Sequence, residues 1–284
     1  MISRVNLARK FRPALIIALL FLVFFISFFI SKDVFQKRSV EASAAEQKRI
    51  TLKNKKIELA AEKQKQKKKN KKGQFEGVDG DTLNIYNDGK KRAYLTFDDG
   101  PSPDVTPKIL VILKKYNIKG TFFIVGSMAQ YYGDVLKEEK ADGHVIANHT
   151  FSHNYKKIYS SVPNFMSDVQ RCDSIIYNKV GNHTNILRFP GGAYGEKFKP
   201  YEEAAEKAGY TYYNWDIYTG DADGNEIPVS KLVGTFKEYY KGQKRLVILM
   251  HDLETKETTV EALPQIIDFL KQQGYQFDTL RHDQ

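Results

Sequence analysis

Residues Leu95 to Pro101 read LTFDDGP, and His149-Thr-Phe-Ser-His153 follows some fifty positions later. The first segment is a short apolar run that stops at two carboxylates and a Gly-Pro turn, the pattern of a buried strand delivering acidic groups to the rim of a sheet. In a regular strand Asp98 and Asp99 would point to opposite faces. Both reach one pocket only if the strand ends there, and Gly100-Pro101 ends it. The second segment sets two imidazoles four residues apart, a spacing expected to place them on one face of a helical turn. Two His and one carboxylate with positions left open describe a catalytic metal site. A second Asp beside the ligand Asp is a ready general base.

Around these residues the chain alternates strand and helix. Strands are expected at 92–97, 121–125, 145–147, 186–189, 211–215 and 246–250, and a hairpin turn at Ile85–Gly89 should feed the first of them. Helices are expected at 105–116, from Ser127 onward, and at 164–177, 199–208, 228–240 and 258–273. Such alternation predicts an α/β fold with a parallel sheet and outer helices. About seven units suggest a distorted (β/α) barrel, closed or not quite closed, in which chemistry collects where strands end. Asp98, Asp99, His149, His153, Arg188, Asp216, Asp221 and His251 all fall at such points.

The 284 residues hold one catalytic domain, expected over 75–284, and an appendage. In residues 1–31, Arg4, Arg9, Lys10 and Arg12 precede the uncharged apolar run Pro13–Ile30. That length can cross a membrane, and the basic flank predicts the N-terminus inside and the rest outside. The expectation is a single-pass, membrane-anchored protein with an extracellular catalytic domain. A cleaved signal peptide is the alternative, but its Ala42-Ser43-Ala44 site lies far beyond the apolar run. Residues 32–74 read as a basic linker. Within it, 46–72 hold twelve Lys or Arg against three Glu and no aromatic residue, so no core can form there. This stretch reads either as a cationic stalk for anionic lipid or wall polymer, or as a solvated spacer. The net charge of +10 resides in the N-terminal part, and residues 73–284 come to −4. Nucleic-acid binding by the folded domain therefore loses its main support. Cys172 is the only cysteine, which excludes an intramolecular disulfide and a cysteine metal cluster.

The chain resembles the polysaccharide deacetylases with a NodB-type homology domain, carbohydrate esterase family 4. Thr96-Phe-Asp-Asp-Gly100, His149-Thr-Phe-Ser-His153, Arg188-Phe-Pro-Gly-Gly192, Trp215-Asp216 with Asp221, and Leu249-Met-His251-Asp252 are similar to its five motifs, in order, across roughly residues 90–280. The resemblance implies a divalent metal, usually zinc, with cobalt, nickel or manganese as alternatives. It implies that Asp99, His149 and His153 hold the metal, that Asp98 is the general base and that His251 is the general acid. It further implies that Arg188 pairs with Asp98, that Asp221 orients His251, and that the Gly191 N–H helps hold the oxyanion. Two departures bear on substrate shape. Gly191 stands where many members carry a bulky residue after proline, and Ala222 follows Asp221 where an aromatic is common.

Outside these roles, Trp215 reads as core or as a sugar platform, and Tyr194 as a lining of the cleft. His144 reads as structural, and His183 and His282 as solvated. The expected activity is removal of N-acetyl groups from cell-wall polysaccharide by a monomer, with peptidoglycan amino sugars as the first candidate. The alternatives are an O-acetyl esterase on xylan or exopolysaccharide, and an inactive glycan-binding protein.

Overall fold

A computed structural model describes residues 89–281. The hairpin turn, the basic linker, the apolar run 13–30 and His282 lie outside the described residues. Among the described residues no helix is long and apolar enough to cross a membrane.

The central strand β1 (Arg92–Asp98) is buried along both faces after its first residue, as a parallel strand covered on each side must be. Ala93, Leu95 and Phe97 face the outer layer of helices. Tyr94 turns to the opposite, concave side, where it packs with Phe123, Ala147, Ile186, Tyr213 and Val247. Period-two alternation sends Thr96 and Asp98 to that same concave side.

Around β1 lie β2 (Thr121–Ile124), β3 (Val145–Asn148), β4 (Ile186–Leu187), β5 (Thr211–Tyr212), β6 (Ile217–Tyr218), β7 (Arg245–His251) and β8 (Gln276–Asp278). The order is β5-β4-β3-β2-β1-β7-β6, and β8 pairs with the start of β1. Every pairing is parallel. No pairing joins β5 to β6 among the described residues, so the sheet is a curled half-barrel and not a closed one. Register sets Asp98 level with His251 and with Phe123 on the two neighbouring strands.

The helices are α1 (Val105–Tyr116), α2 (Gly126–Tyr131), α3 (Gly133–Ala141), α4 (Tyr155–Ile158), α5 (Val162–Val180), α6 (Lys199–Lys207), α7 (Val229–Tyr239) and α8 (Glu257–Gln272). In α5 the residues Phe165, Asp168, Val169, Cys172 and Ile176 are buried, the stripe of a helix lying on a sheet. Ser161 caps its start by accepting from the Asn164 N–H, and Gly181 ends it in the left-handed region.

The structure corrects the sequence-based expectations in several places. The helix opening near Ser127 is two helices, because Tyr132 leaves helical backbone space (φ −107°, ψ 40°). The strands at 186 and 211 are two residues long; one further backbone bond follows each, from Arg188 to Asn148 and from Tyr213 to Leu187, and the regular pairing ends there. Short strands β6 and β8 and helix α4 carry too few residues for a periodic signal. His149 and His153 do not share a helical turn: they flank an irregular loop in which Thr150 and His153 take positive φ (67° and 47°).

Beyond β1, Gly100 meets the side chain of Asp252, which follows β7. A Cβ on Gly100 would stand 2.1 Å from Asp252 Oδ2 and 2.5 Å from its Cγ. The same Oδ2 accepts from Thr106 Oγ1 at 2.6 Å, so the carboxylate cannot move without breaking a buried bond. Gly100→Ala is therefore expected to destabilise the fold by about 1–3 kcal/mol, the usual effect of overpacking, read as a lower urea midpoint at unchanged m-value.

Candidate active site

Asp98 is the last residue of β1, and its carboxyl group is almost wholly buried. Asp99 follows with φ 79°, a left-handed conformation that Asp tolerates better than most residues. That single twist brings the second carboxylate round to the face of the first. The Asp99 N–H still donates to the Phe123 carbonyl at 3.2 Å, so the turn remains tied to β2.

The histidine loop is held by α5. The buried Asn148 side chain accepts from the Thr150 N–H and donates to the Val169 carbonyl, each at 2.9 Å. Asp168 takes the Ser152 N–H on Oδ1 at 2.7 Å, and its backbone carbonyl takes the Phe151 N–H. Lys157 lies 3.3 Å from the other Asp168 oxygen. These bonds stabilise the positive-φ backbone that turns both imidazoles inward.

His149 Nε2 stands 3.6 Å from Asp99 Oδ1, and His153 Nε2 stands 3.1 Å from the same oxygen. One ligand atom from each of Asp99, His149 and His153 falls within 4.8 Å of the others. His149 Nδ1 lies 2.8 Å from the Arg188 carbonyl, which can only accept, so the ring hydrogen sits on Nδ1 and the Nε2 lone pair faces Asp99. Burial, reinforced by the neighbouring His153, lowers the His149 pKa to about 3 and keeps the ring neutral, as ligation requires. Asp99 Oδ1 is buried and takes no hydrogen bond among the described residues. Acceptors converging without a proton between them fit a divalent cation.

Arg188 is fully buried and crosses the concave side of the sheet. Its Nη1 donates to Asp98 Oδ1 at 2.7 Å and to Thr96 Oγ1 at 2.8 Å. Nε and Nη2 donate to the carbonyls of Tyr213 and Asn214, and the guanidinium lies 4.0 Å from the centre of the Phe123 ring. Burial raises the Asp98 pKa, and the charge and hydrogen bond of Arg188 pull against that rise. The net shift is upward, so Asp98 holds a proton more readily than an exposed Asp while keeping a charged partner.

His251 ends β7 on the other side of Asp98. Its Nδ1 lies 2.9 Å from Asp221 Oδ1, and its backbone N–H donates to Asp221 Oδ2 at 2.7 Å. Thr259 donates to that same Oδ2, and Lys256 Nζ donates to the Asp221 carbonyl. Burial alone would lower the His251 pKa, but the charge and hydrogen bond of Asp221 overcome it and raise the value to about 9. Asp221 is correspondingly held below the usual carboxylate range: burial opposes this, and the charge and hydrogen bonds of His251 prevail.

Gly191 and Gly192 both take φ 80°. The Gly191 N–H has no hydrogen-bond partner among the described residues. A Cβ on Gly192 would strike the Tyr194 ring at 2.3 Å and the Trp215 ring at 3.0 Å. Those two rings meet edge to face at 5.8 Å, and Trp215 also packs against the inner core, as its core reading expects.

Asp216 stays apart from this cluster: its carboxylate accepts from the Val247 N–H at 2.7 Å and serves the sheet. His144 is structural, since its buried Nδ1 accepts from the Gly120 N–H at 3.0 Å. His183 is exposed and pairs with Asp173 at 2.6 Å.

Two residues of the site had no assigned part in the sequence reading. Asp252 is buried behind the acidic pair. Burial raises its pKa to about 7, Thr106 opposes this, and the charges of Asp99 and Asp98 add to the rise. Its signal in the sequence is adjacency to His251. Tyr155 stands with its ring edge-on to His153 at 5.3 Å, and no spacing rule marks it.

Residues 86–213 match the polysaccharide deacetylase family. A peptidoglycan-N-acetylglucosamine deacetylase of Bacillus cereus is 30% identical over 200 residues, covering 69% of this chain and 72% of the relative. Among solved structures, the catalytic domain of a peptidoglycan N-acetylglucosamine deacetylase from Eubacterium rectale is 35% identical with a TM-score of 0.63, covering 70% of this chain and 93% of that one. A Streptococcus mutans CE4 esterase is 30% identical with a TM-score of 0.64, over 68% of this chain and 87% of that one. With the half-barrel and the five motif segments gathered at one end of it, these likenesses show that the chain belongs to the polysaccharide deacetylase family, carbohydrate esterase family 4.

Proposed function

We propose that this protein removes N-acetyl groups from the amino sugars of peptidoglycan. The observation that carries the reading is the placement of Asp98 between two differently tuned histidine sites: the Asp99, His149 and His153 cluster on one side, and the charged His251–Asp221 pair on the other. Amide hydrolysis needs that pairing, because the carbonyl carbon must be attacked at neutral pH and the leaving nitrogen must be protonated. A divalent ion held by Asp99, His149 and His153, with zinc first among candidates for a set of two imidazoles and one carboxylate, supplies Lewis acidity and a nucleophile near neutrality.

The residues of the chain carry the proton movements. Asp98 takes the proton of the attacking water: Arg188 holds its Oδ1, and Oδ2, 3.6 Å from His149 Nε2, is left to receive the proton. The Gly191 N–H is available to stabilise the negative oxygen of the tetrahedral state. Asp221 engages His251 Nδ1, which leaves the Nε2 proton for the departing nitrogen. The relatives named for peptidoglycan N-acetylglucosamine support this substrate over an esterified glycan. The run 13–30 and its basic flank support anchorage in the cell membrane with the catalytic domain outside.

Three outcomes test the reading. The full chain should release acetate from peptidoglycan or N-acetylglucosamine oligomers and lose that activity with a chelator. Asp99→Ala should lose metal and turnover together by elemental analysis and acetate assay. Asp98→Asn should keep its metal yet lose turnover by about 100-fold or more, the scale of a missing general base. Acetate release from acetylated xylan alone would replace the N-acetyl substrate with an O-acetyl one.

A further test concerns pH. His251 must be protonated to act, and its pKa is raised to about 9, so activity should fall as pH climbs through that region. Asp221→Asn removes the charge that raises it, and the alkaline limb of the pH–kcat profile should move to lower pH, towards the unperturbed value of about 6.5. An unmoved limb would assign the alkaline fall to another group.

Cell fractionation checks the anchorage: the intact chain should sediment with membranes, whereas a soluble mature form beginning near Ala45 would identify a cleaved signal.

A further inference from the structure

Tyr155 stands over Gly191, a position of the candidate site that has no side chain. Gly191 is exposed and leaves bare backbone beside the proposed oxyanion donor. A Cβ built on Gly191 would lie 2.9 Å from Tyr155 Cε1 and 3.1 Å from its Oη. The volume that a larger residue 191 would use is thus already taken, from a different element. The positive φ of Gly191 adds a second barrier to any side chain there.

The ring is held, not loose. Its edge meets His153 at 5.3 Å and 89°, and Tyr159 lies behind it at 6.1 Å. Asn154 caps α4 by accepting from the Lys157 N–H, and Tyr159 Oη donates to the Pro190 carbonyl at 2.8 Å. That bond ties α4 to the Pro190–Gly191 turn, so Tyr155 and Gly191 keep their mutual position. Despite these contacts Tyr155 is 49% exposed. A large aromatic half open to solvent, fixed beside candidate metal ligands and an unpartnered N–H, has the character of a pocket wall more than of core.

We propose that Tyr155 is a substrate-positioning residue: its ring forms the wall against which the pyranose ring of an N-acetylated amino sugar lies, replacing a side chain at position 191. This rests on the deacetylase reading above. The apolar C–H face of a pyranose matches the face of the phenol ring. Contact there would hold the acetamido group near the Gly191 N–H and the Asp99, His149 and His153 cluster. Sugar recognition then belongs to the histidine loop and its helix, and the Phe189–Gly192 turn contributes backbone alone.

The test compares Tyr155→Ala, Tyr155→Phe and Tyr155→Trp in the full chain. Each is assayed on N-acetylglucosamine oligomers and on 4-nitrophenyl acetate, with metal content measured. The small ester has no sugar to rest on the wall. For the oligomers, Tyr155→Ala should lower kcat/KM by about 10–100-fold, chiefly through KM, the scale of a lost apolar contact in a pocket. Ester hydrolysis and metal content should stay at parent level, and Phe or Trp should restore most of the oligomer activity. Unchanged oligomer kinetics in Tyr155→Ala would overturn the proposal. So would a parallel fall of ester hydrolysis and metal, which would make Tyr155 a prop for His153. If the parent protein hydrolyses the ester but releases no acetate from any N-acetylated glycan, the deacetylase reading fails first and takes this inference with it.

Discussion

The buried ion pair of Arg188 and Asp98 is the constraint on which the site depends. A guanidinium with no solvent exposure is tolerated only if its donors and its charge are met, since the effective desolvation penalty is several kcal/mol per ion. The chain meets them with partners from separate strands and loops: Thr96 and Asp98 on β1, and the carbonyls of Tyr213 and Asn214 beyond β5. Phe123 on β2 supplies the ring face. Arg188 itself follows β4, and its own carbonyl fixes the ring hydrogen of His149. One residue thereby sets the spacing of the concave wall, the charge of the candidate base and the tautomer of a candidate ligand. A lysine could not do this, having neither the planar fork nor the stacking face.

Around that pair the protein makes two histidines opposite in character. His149 is buried beside another imidazole and is kept neutral, while His251, largely enclosed, faces Asp221 and is kept charged. The difference lies in the partner and not in burial, since burial lowers both. The His251–Asp221 pair also links stability to pH. The His251 pKa is raised in the fold, so the stability that pairing contributes is full below about 6.5 and is lost as pH rises through about 9. Separating environments in this way is how one cleft keeps a ligand and an acid of the same residue type.

Much of this was legible in the sequence where the signal was local. The run into Asp98 announced a buried strand, and the Gly100-Pro101 stop announced two carboxylates at its end. Helices α1, α5 and α8 carried clear stripes of buried residues. The His-x-x-x-His spacing misled as to geometry, because the periodicity of a helix was read into a loop. Asn148 and Asp168 override that local preference with side-chain bonds to the loop backbone. Two-residue strands such as β4 and β6 have no period to detect. Asp216 looked like a site residue because it ends a strand, yet its carboxylate completes an edge hydrogen bond. Asp252 and Tyr155 were hidden for another reason: their importance comes from what they face across the fold.

The glycine at position 191 shows how such a site tolerates change. The missing side chain at position 191 could have left a void, but aromatic rings overlie both glycines: Tyr155 at Gly191, and Tyr194 with Trp215 at Gly192. Bare backbone with φ 80° lets those rings approach closer than any Cβ would allow. The polar centre, by contrast, has no such freedom. Asp98, Asp99, His149, Arg188 and His251 each make contacts that a differently shaped group could not make from another strand. Shape around the cleft can be rebuilt from several elements, whereas the charge network at its floor is tied to particular strand ends and to their register.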